Sequence, residues 1–282
     1  MAGSDVVRAD AEWLELREPA DALARSGELA DALVARLPPG QRLVVHDLGS
    51  GTGSMARWLA PRLPGPQHWV LHDRDDDLLE RVSSYALPAT ADGSPVTLDT
   101  RRDDITRLDD DGLREADLIT GSALLDMLTA AEVERVVAAC VGVGCPVLMT
   151  LSVVGRVEME PPEGLDGRLT RAFNDHQRRT TGQGDLLGPD AAAAAVAAFE
   201  AAGLEVVVRG SPWRLGADQR ALVTAWLTGW VRAAVEQVPD LADDAERYLR
   251  RRLEQAADGT LSVTVHHDDL LAVPAASARG RE

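Results

Sequence analysis

The stretch from Leu43 to Leu59 places an acid and three alternate glycines, Asp47-x-Gly49-x-Gly51-x-Gly53, between an apolar run and the start of a helical pattern. Alternate glycines strip side chains from the turn, so N–H groups at the following helix start can approach a phosphate or a carboxylate closely. The acid narrows the choice. It is a poor neighbour for a pyrophosphate and a good one for an ammonium, and in the G-x-G-x-x-G of dinucleotide sites the third glycine falls one place later. Further along, Asp73 ends a second apolar run, Asp103-Asp104-Ile105 ends a third, and Asp126 interrupts the apolar stretch Leu124 to Leu128. His176 stands between Asn174 and Gln177 in a long polar segment, and Trp213-Arg214 follows a sixth run.

The elements that must position these groups alternate regularly. Strands are expected at 43–48, 68–73, 96–102, 116–120, 146–152, 204–209 and 260–266, with helices between them. Residues 10–37 read as two or three short helices broken at Pro19, and Asp75 to Asp77 as the cap and first turn of a helix reaching Tyr85. The order implies a doubly wound α/β sheet, whose ligands bind at the carboxyl ends of the strands, where Asp47, Asp73, Asp104 and Ser122 converge. The connection 155–188 is long enough for a lid, with Gly182-Gln183-Gly184 as its hinge. A helix over 165–178 puts Leu165, Leu169, Ala172 and His176 on one face, which makes His176 either a proton acceptor or a core histidine.

The glycine motif resembles motif I of the class I S-adenosylmethionine (SAM)-dependent methyltransferases, and Gly121 to Leu128 resembles motif IV. Phe173 to Gln177, Ser211 to Leu215 and His266 to Leu271 look like a little-characterised bacterial branch of that family. The resemblance implies a Rossmann-like doubly wound sheet of seven strands in the order 3-2-1-4-5-7-6. It comprises an N-terminal helical cap (1–40) and a SAM-binding domain (41–275) with a lid (155–188) and a helical insertion before the last strand (212–258). It also implies SAM as cofactor, held by Asp47, Gly49, Ser50, Gly51, Gly53, Asp73, Arg74, Asp104 (or Asp103), Ile105 and Ser122. Asp126 or His176 would take the acceptor's proton, and Trp13, Arg17, Glu18, Asn174, Gln177, Trp213 and Arg214 would meet the substrate. Ordinary structural roles stand beside these: core packing for Trp13 and Trp213, and loop or helix capping for Asp104 and Asp126.

Composition limits the partner. A net charge of −17, with 46 acids against 29 bases that are all arginine, and only 4% aromatics oppose nucleic acid and an anionic membrane, so a small polar metabolite is expected. A second copy of the chain is admissible as a partner. Cys140 and Cys145 match no zinc spacing and read as buried thiols. Adjacent residues of a strand face opposite ways, so His266, His267, Asp268 and Asp269 are not expected to form a metal site. No signal segment or membrane span is apparent, which suits a cytoplasmic enzyme. The tail 276–282 is expected to be disordered. The functional expectation is methyl transfer to oxygen or nitrogen, against a SAM-fold protein lacking that activity or a nicotinamide oxidoreductase.

Overall fold

The computed structural model describes residues 10–38, 40–82 and 87–275. The helical cap consists of α1 (Ala11–Ala24) and α2 (Gly27–Val34). Contrary to expectation α1 runs through Pro19, and the break comes at Arg25 and Ser26, both extended, with the Ser26 hydroxyl accepting from Leu29 N. The apolar run then forms β1 (Leu43–Leu48), with α3 (Ser54–Leu59), β2 (Gln67–Asp73), α4 (Asp76–Val82), β3 (Val96–Arg102) and β4 (Leu118–Ser122) following in turn. Thr129 and Glu132 form a reciprocal cap at the start of α5 (Ala130–Val143), which leads to β5 (Val147–Glu160).

Beyond β5 come α6 (Asp166–Gln177), a two-residue hairpin β6 (Thr180–Thr181) and β7 (Gly184–Asp185), α7 (Ala191–Ala201), β8 (Leu204–Gly210) and β9 (Trp213–Leu215). The chain closes with α8 (Arg220–Gln237), α9 (Ala242–Ala257) and β10 (Ser262–Pro274). The main sheet has the order β3-β2-β1-β4-β5-β10-β8. Counted over its seven long strands this is 3-2-1-4-5-7-6, parallel up to β5 and antiparallel at β10.

Side-chain alternation buries both faces of the sheet. Leu43, Val45, Leu148 and Leu271 pack under α2 and α3, and Leu48, Ile119, Val147, Met149 and Leu270 pack under α5 and α7. Cys140 and Cys145 are free and buried in the second layer, where burial pushes the Cys145 thiol up to about 12. Among the described residues, no helix is long and apolar enough to cross a membrane.

Several boundaries differ from the sequence reading. β4 starts and ends two residues later than expected, the expected helix end at Tyr85 lies outside the described residues, as does 276–282, and α4 begins at Asp76. More important, the segment expected as a lid begins as strand: β5 continues through Gly155 to Glu160, pairing antiparallel with Ser262 to Val265 of a much longer last strand. Val157 and Met159 turn inward there while Arg156 and Glu160 stay exposed, so a period of two was hidden by its charged outer half. With β9 this overhang forms a platform for α6, α8 and α9. Buried Arg252 of α9 clamps Asp166 at the start of α6 at 2.7 and 2.9 Å, and the Tyr248 hydroxyl donates to the same carboxylate.

One buried acid ties cap, sheet and platform together. Asp269 of β10 accepts from Ser26 N at 2.7 Å, Leu151 N at 2.8 Å and the Ser211 hydroxyl. Asp269→Ala strands these donors in the interior and is expected to lower unfolding stability by about 3 kcal/mol in a urea titration. A loss below about 1 kcal/mol would show that the junction holds without this carboxylate.

Candidate functional site

The carboxyl ends of β1, β2 and β4 open into a cavity of about 520 Å³, within the range of small-molecule sites. Its floor is the glycine turn, where Gly49, Gly51 and Gly53 have φ of 62°, 54° and 80°, so the alternate glycines answer a repeated left-handed backbone. The turn is braced from β2. Ser50 N donates to His72 O at 2.9 Å, and Gly51 N to an oxygen of Asp73 at 2.8 Å.

Asp47 lies at the base of this turn, 1% exposed. One carboxylate oxygen accepts from the Thr120 hydroxyl at 2.8 Å, and the other has no hydrogen-bond partner among the described residues. Burial raises its pKa to about 6, against the Thr120 bond and the positive charge of Arg25, which both lower it. Arg25 is itself buried and donates at 3.0 Å to the hydroxyls of Ser54 and Ser122. Thr150 donates to the Ser122 hydroxyl as well, so Ser122 both lines the cavity and anchors the arginine.

Acids crowd the rim. The second oxygen of Asp73 accepts from Asp75 N at 3.0 Å. Asp103 accepts from His72 Nδ1 at 2.8 Å, and His72 Nε2 is 2.9 Å from His46 Nδ1. Burial lowers the pKa of both histidines, that of His46 to about 4. Asp104 caps a short turn through Thr106 N and the Thr106 hydroxyl, with Ile105 beside it on the cavity wall. Arg74 lines the same rim.

Another wall of the cavity is built from the cap and the platform. Trp13 and Arg17 of α1, Phe173, Asn174 and Gln177 of α6, Trp213 of β9 and Trp226 of α8 all line it. Buried Asp21 organises this wall by accepting from Arg17 Nε and Trp213 Nε1, each at 2.9 Å, with the guanidinium carbon 4.9 Å from the Trp213 ring centre. Trp13 meets Trp213 edge-on at 6.3 Å. Asn174 donates to Gly155 O at 2.8 Å, which fixes α6 against β5. Asp126, on the turn after β4, faces the cavity half-buried; desolvation raises its pKa to about 6, moderated by its own backbone N–H and by Arg17 and Arg179.

No family model and no curated protein matches the chain. Among solved structures it is similar to YcgJ from Bacillus subtilis, at 16% identity over 88% of this chain and 99% of that one, with a TM-score of 0.47. It is also similar to the cyclopropane synthase MmaA2 from Mycobacterium tuberculosis, at 13% identity over 94% of each chain and a TM-score of 0.49. A third is the mycolic acid cyclopropane synthase CmaA1, crystallised with S-adenosylhomocysteine (SAH) and CTAB, at 12% identity over 86% of this chain and 82% of that one, with a TM-score of 0.45. Its fold is that of the class I methyltransferases. That statement rests on the sheet order and the antiparallel β10; likenesses this distant leave function to the side chains themselves.

The expected site residues divide on this geometry. Asp47, Gly49, Ser50, Gly51, Asp73, Arg74, Asp104, Ile105 and Ser122 line one cavity together with Trp13, Arg17, Asp126, Asn174, Gln177 and Trp213. His176, Arg214 and Gly53 do not line it. The apolar face of α6 that carries His176 is packed on α8, so the ring points to Glu236 at 3.4 Å, while Phe173, Asn174 and Gln177 on the adjoining face meet the cavity. Arg214 falls on the exposed side of β9 by strand alternation, and Gly53 caps α3 behind the turn. Glu18 pairs with Arg57 instead. Asp21, Arg25, Thr120 and the His46–His72 pair were missed; only their tertiary neighbours distinguish them from ordinary polar residues.

A carboxylate that receives a ligand ammonium binds it best when deprotonated. SAH affinity is therefore expected to fall as pH drops through about 6, and Asp47→Asn to bind weakly with that dependence removed, both read by titration calorimetry. His176→Ala is expected to keep wild-type SAH affinity.

Proposed function

We propose that the protein is a SAM-dependent methyltransferase acting on oxygen or nitrogen of a small polar metabolite. The observation that carries this reading is the oxygen of Asp47 that has no partner among the described residues, beneath a left-handed glycine turn, in a cavity that Asp126 also lines. Acids line the glycine end, an arrangement that favours a cationic sulfonium over a pyrophosphate.

The residues fit the cofactor. Asp47 would receive the ammonium, and the glycine turn leaves the room the amino-acid part needs. Asp73 would hold the ribose hydroxyls, because each of its oxygens keeps a lone pair beyond the backbone bond it already accepts. Asp103 or Asp104 would accept from the adenine amino group with Ile105 against the ring. When bound, SAM would supply an electrophilic methyl group on cationic sulfur, with the neutral thioether SAH as its leaving group. The protein's part is orientation, a contribution of roughly 7 to 11 kcal/mol in well-aligned systems, and removal of the acceptor's proton. Asp126 is suited to the latter: a pKa near 6 leaves it ionised at neutral pH yet more basic than an exposed aspartate.

Calorimetry with SAM, SAH and NAD tests the class; tight NAD binding without SAM binding overturns it. In a turnover screen Asp126→Asn is expected to lower kcat/KM by about 100-fold or more. With SAM saturating at every pH, so that Asp47 does not contribute, wild-type kcat/KM for the acceptor should rise with pH through about 6 as Asp126 loses its proton, and the variant should lack that limb. Unchanged turnover in Asp126→Asn would remove this residue from proton transfer.

A further inference from the structure

The wall of the cavity built from the cap and the platform restricts the acceptor more narrowly than small polar metabolite. Its walls are aromatic: Trp13, Phe173, Trp213 and Trp226 come from four different elements. Set among them is the Arg17 guanidinium, its side chain only 14% exposed. Arg17 Nε is held by Asp21 at 2.9 Å and the group stacks on Trp213, so its position is fixed. Its terminal nitrogens donate no hydrogen bond among the described residues, and Asp126 lies beyond ion-pair distance.

Any molecule that fills this chamber removes those donors from solvent. A neutral hydrocarbon would strand them, at the cost of buried N–H donors left without acceptors. A carboxylate would match the free fork of a guanidinium whose remaining edge is already tied down. The same argument applied to Asp126, which lines the same cavity, demands a hydrogen-bond donor beside its carboxylate, which the hydroxyl or amine to be methylated supplies. The flat walls between suit a ring.

We propose that the acceptor is an aromatic acid, its carboxylate paired with Arg17, its ring between the tryptophans and Phe173, and its hydroxyl or amine directed to Asp126. This rests on the methyltransferase reading and adds the chemical class of the substrate. Asp21 becomes a positioning residue, orienting Arg17 and Trp213 through one carboxylate.

The test uses the full chain saturated with SAH and titrated calorimetrically with hydroxybenzoates, aminobenzoates and the primary amides of the same rings. At least one acid is expected to bind tenfold or more tightly than its amide, and Arg17→Gln to remove that preference. Arg17→Lys, which keeps the charge without the fork, should retain part of it. SAH binding by each variant reports that it is folded. Equal affinity for acids and amides, an undiminished preference in Arg17→Gln, or no binding of any acid by protein that binds SAH overturns the proposal and leaves the cofactor reading standing. Failure of the wild type to bind SAH overturns both.

Discussion

The buried carboxylate of Asp269 is the constraint on which the cavity's shape depends. Three segments remote in sequence meet at it: the junction of the cap helices, the point where β5 leaves the parallel sheet, and the turn before β9. Leu151, whose N–H it receives, has φ of 57°, a conformation that a residue with a side chain adopts only when its surroundings impose it. Burial raises the pKa of this acid, and the three donors together with Arg25 counter the shift. The carboxylate therefore fixes where the cap lies relative to the sheet. From that position α1 extends Trp13 and Arg17 over the cavity.

A second constraint is electrostatic. The cavity is acidic at its glycine end and carries one buried arginine beneath it, Arg25, whose charge partly offsets the cost of ionising Asp47. Paired completely, Asp47 would be a structural residue. Instead one oxygen is satisfied by Thr120 and the other is left over, an arrangement costly in the absence of a cationic ligand and favourable in its presence. The glycine turn and the acids of β2 and β3 are cross-braced by backbone and histidine bonds, so the binding surface is organised before a ligand arrives.

The platform wall of the cavity depends on a different core. The overhang of β5 and β10 would be an exposed ribbon without α6, α8 and α9, which bury Met159, Val263 and Leu215 against Trp226, Trp230 and Tyr248. The fully buried Arg252, bonded to Asp166, Pro161 O and Gln255, locks α9 to the start of α6. Phe173 and Asn174, which line the cavity, are thus set by packing on the outer side of their own helix.

The sequence by itself determined the doubly wound sheet, its order through the family resemblance, and the glycine turn with the acids gathered beside it. Those features are local: an apolar run, a left-handed turn and an acid at a strand tip are written in consecutive residues. Tertiary structure decided the rest. Periodicity placed His176 on the apolar face of α6 but could not say that α8, not the cavity, lies against that face. Alternation in β5 beyond Ser152 was masked because one side of the overhang is charged and faces solvent, and its partner strand is a hundred residues away in sequence. Asp21, Arg25 and Asp269 acquire meaning only through distant donors and charges, since a buried polar group is defined by what surrounds it, and no spacing in the chain records that.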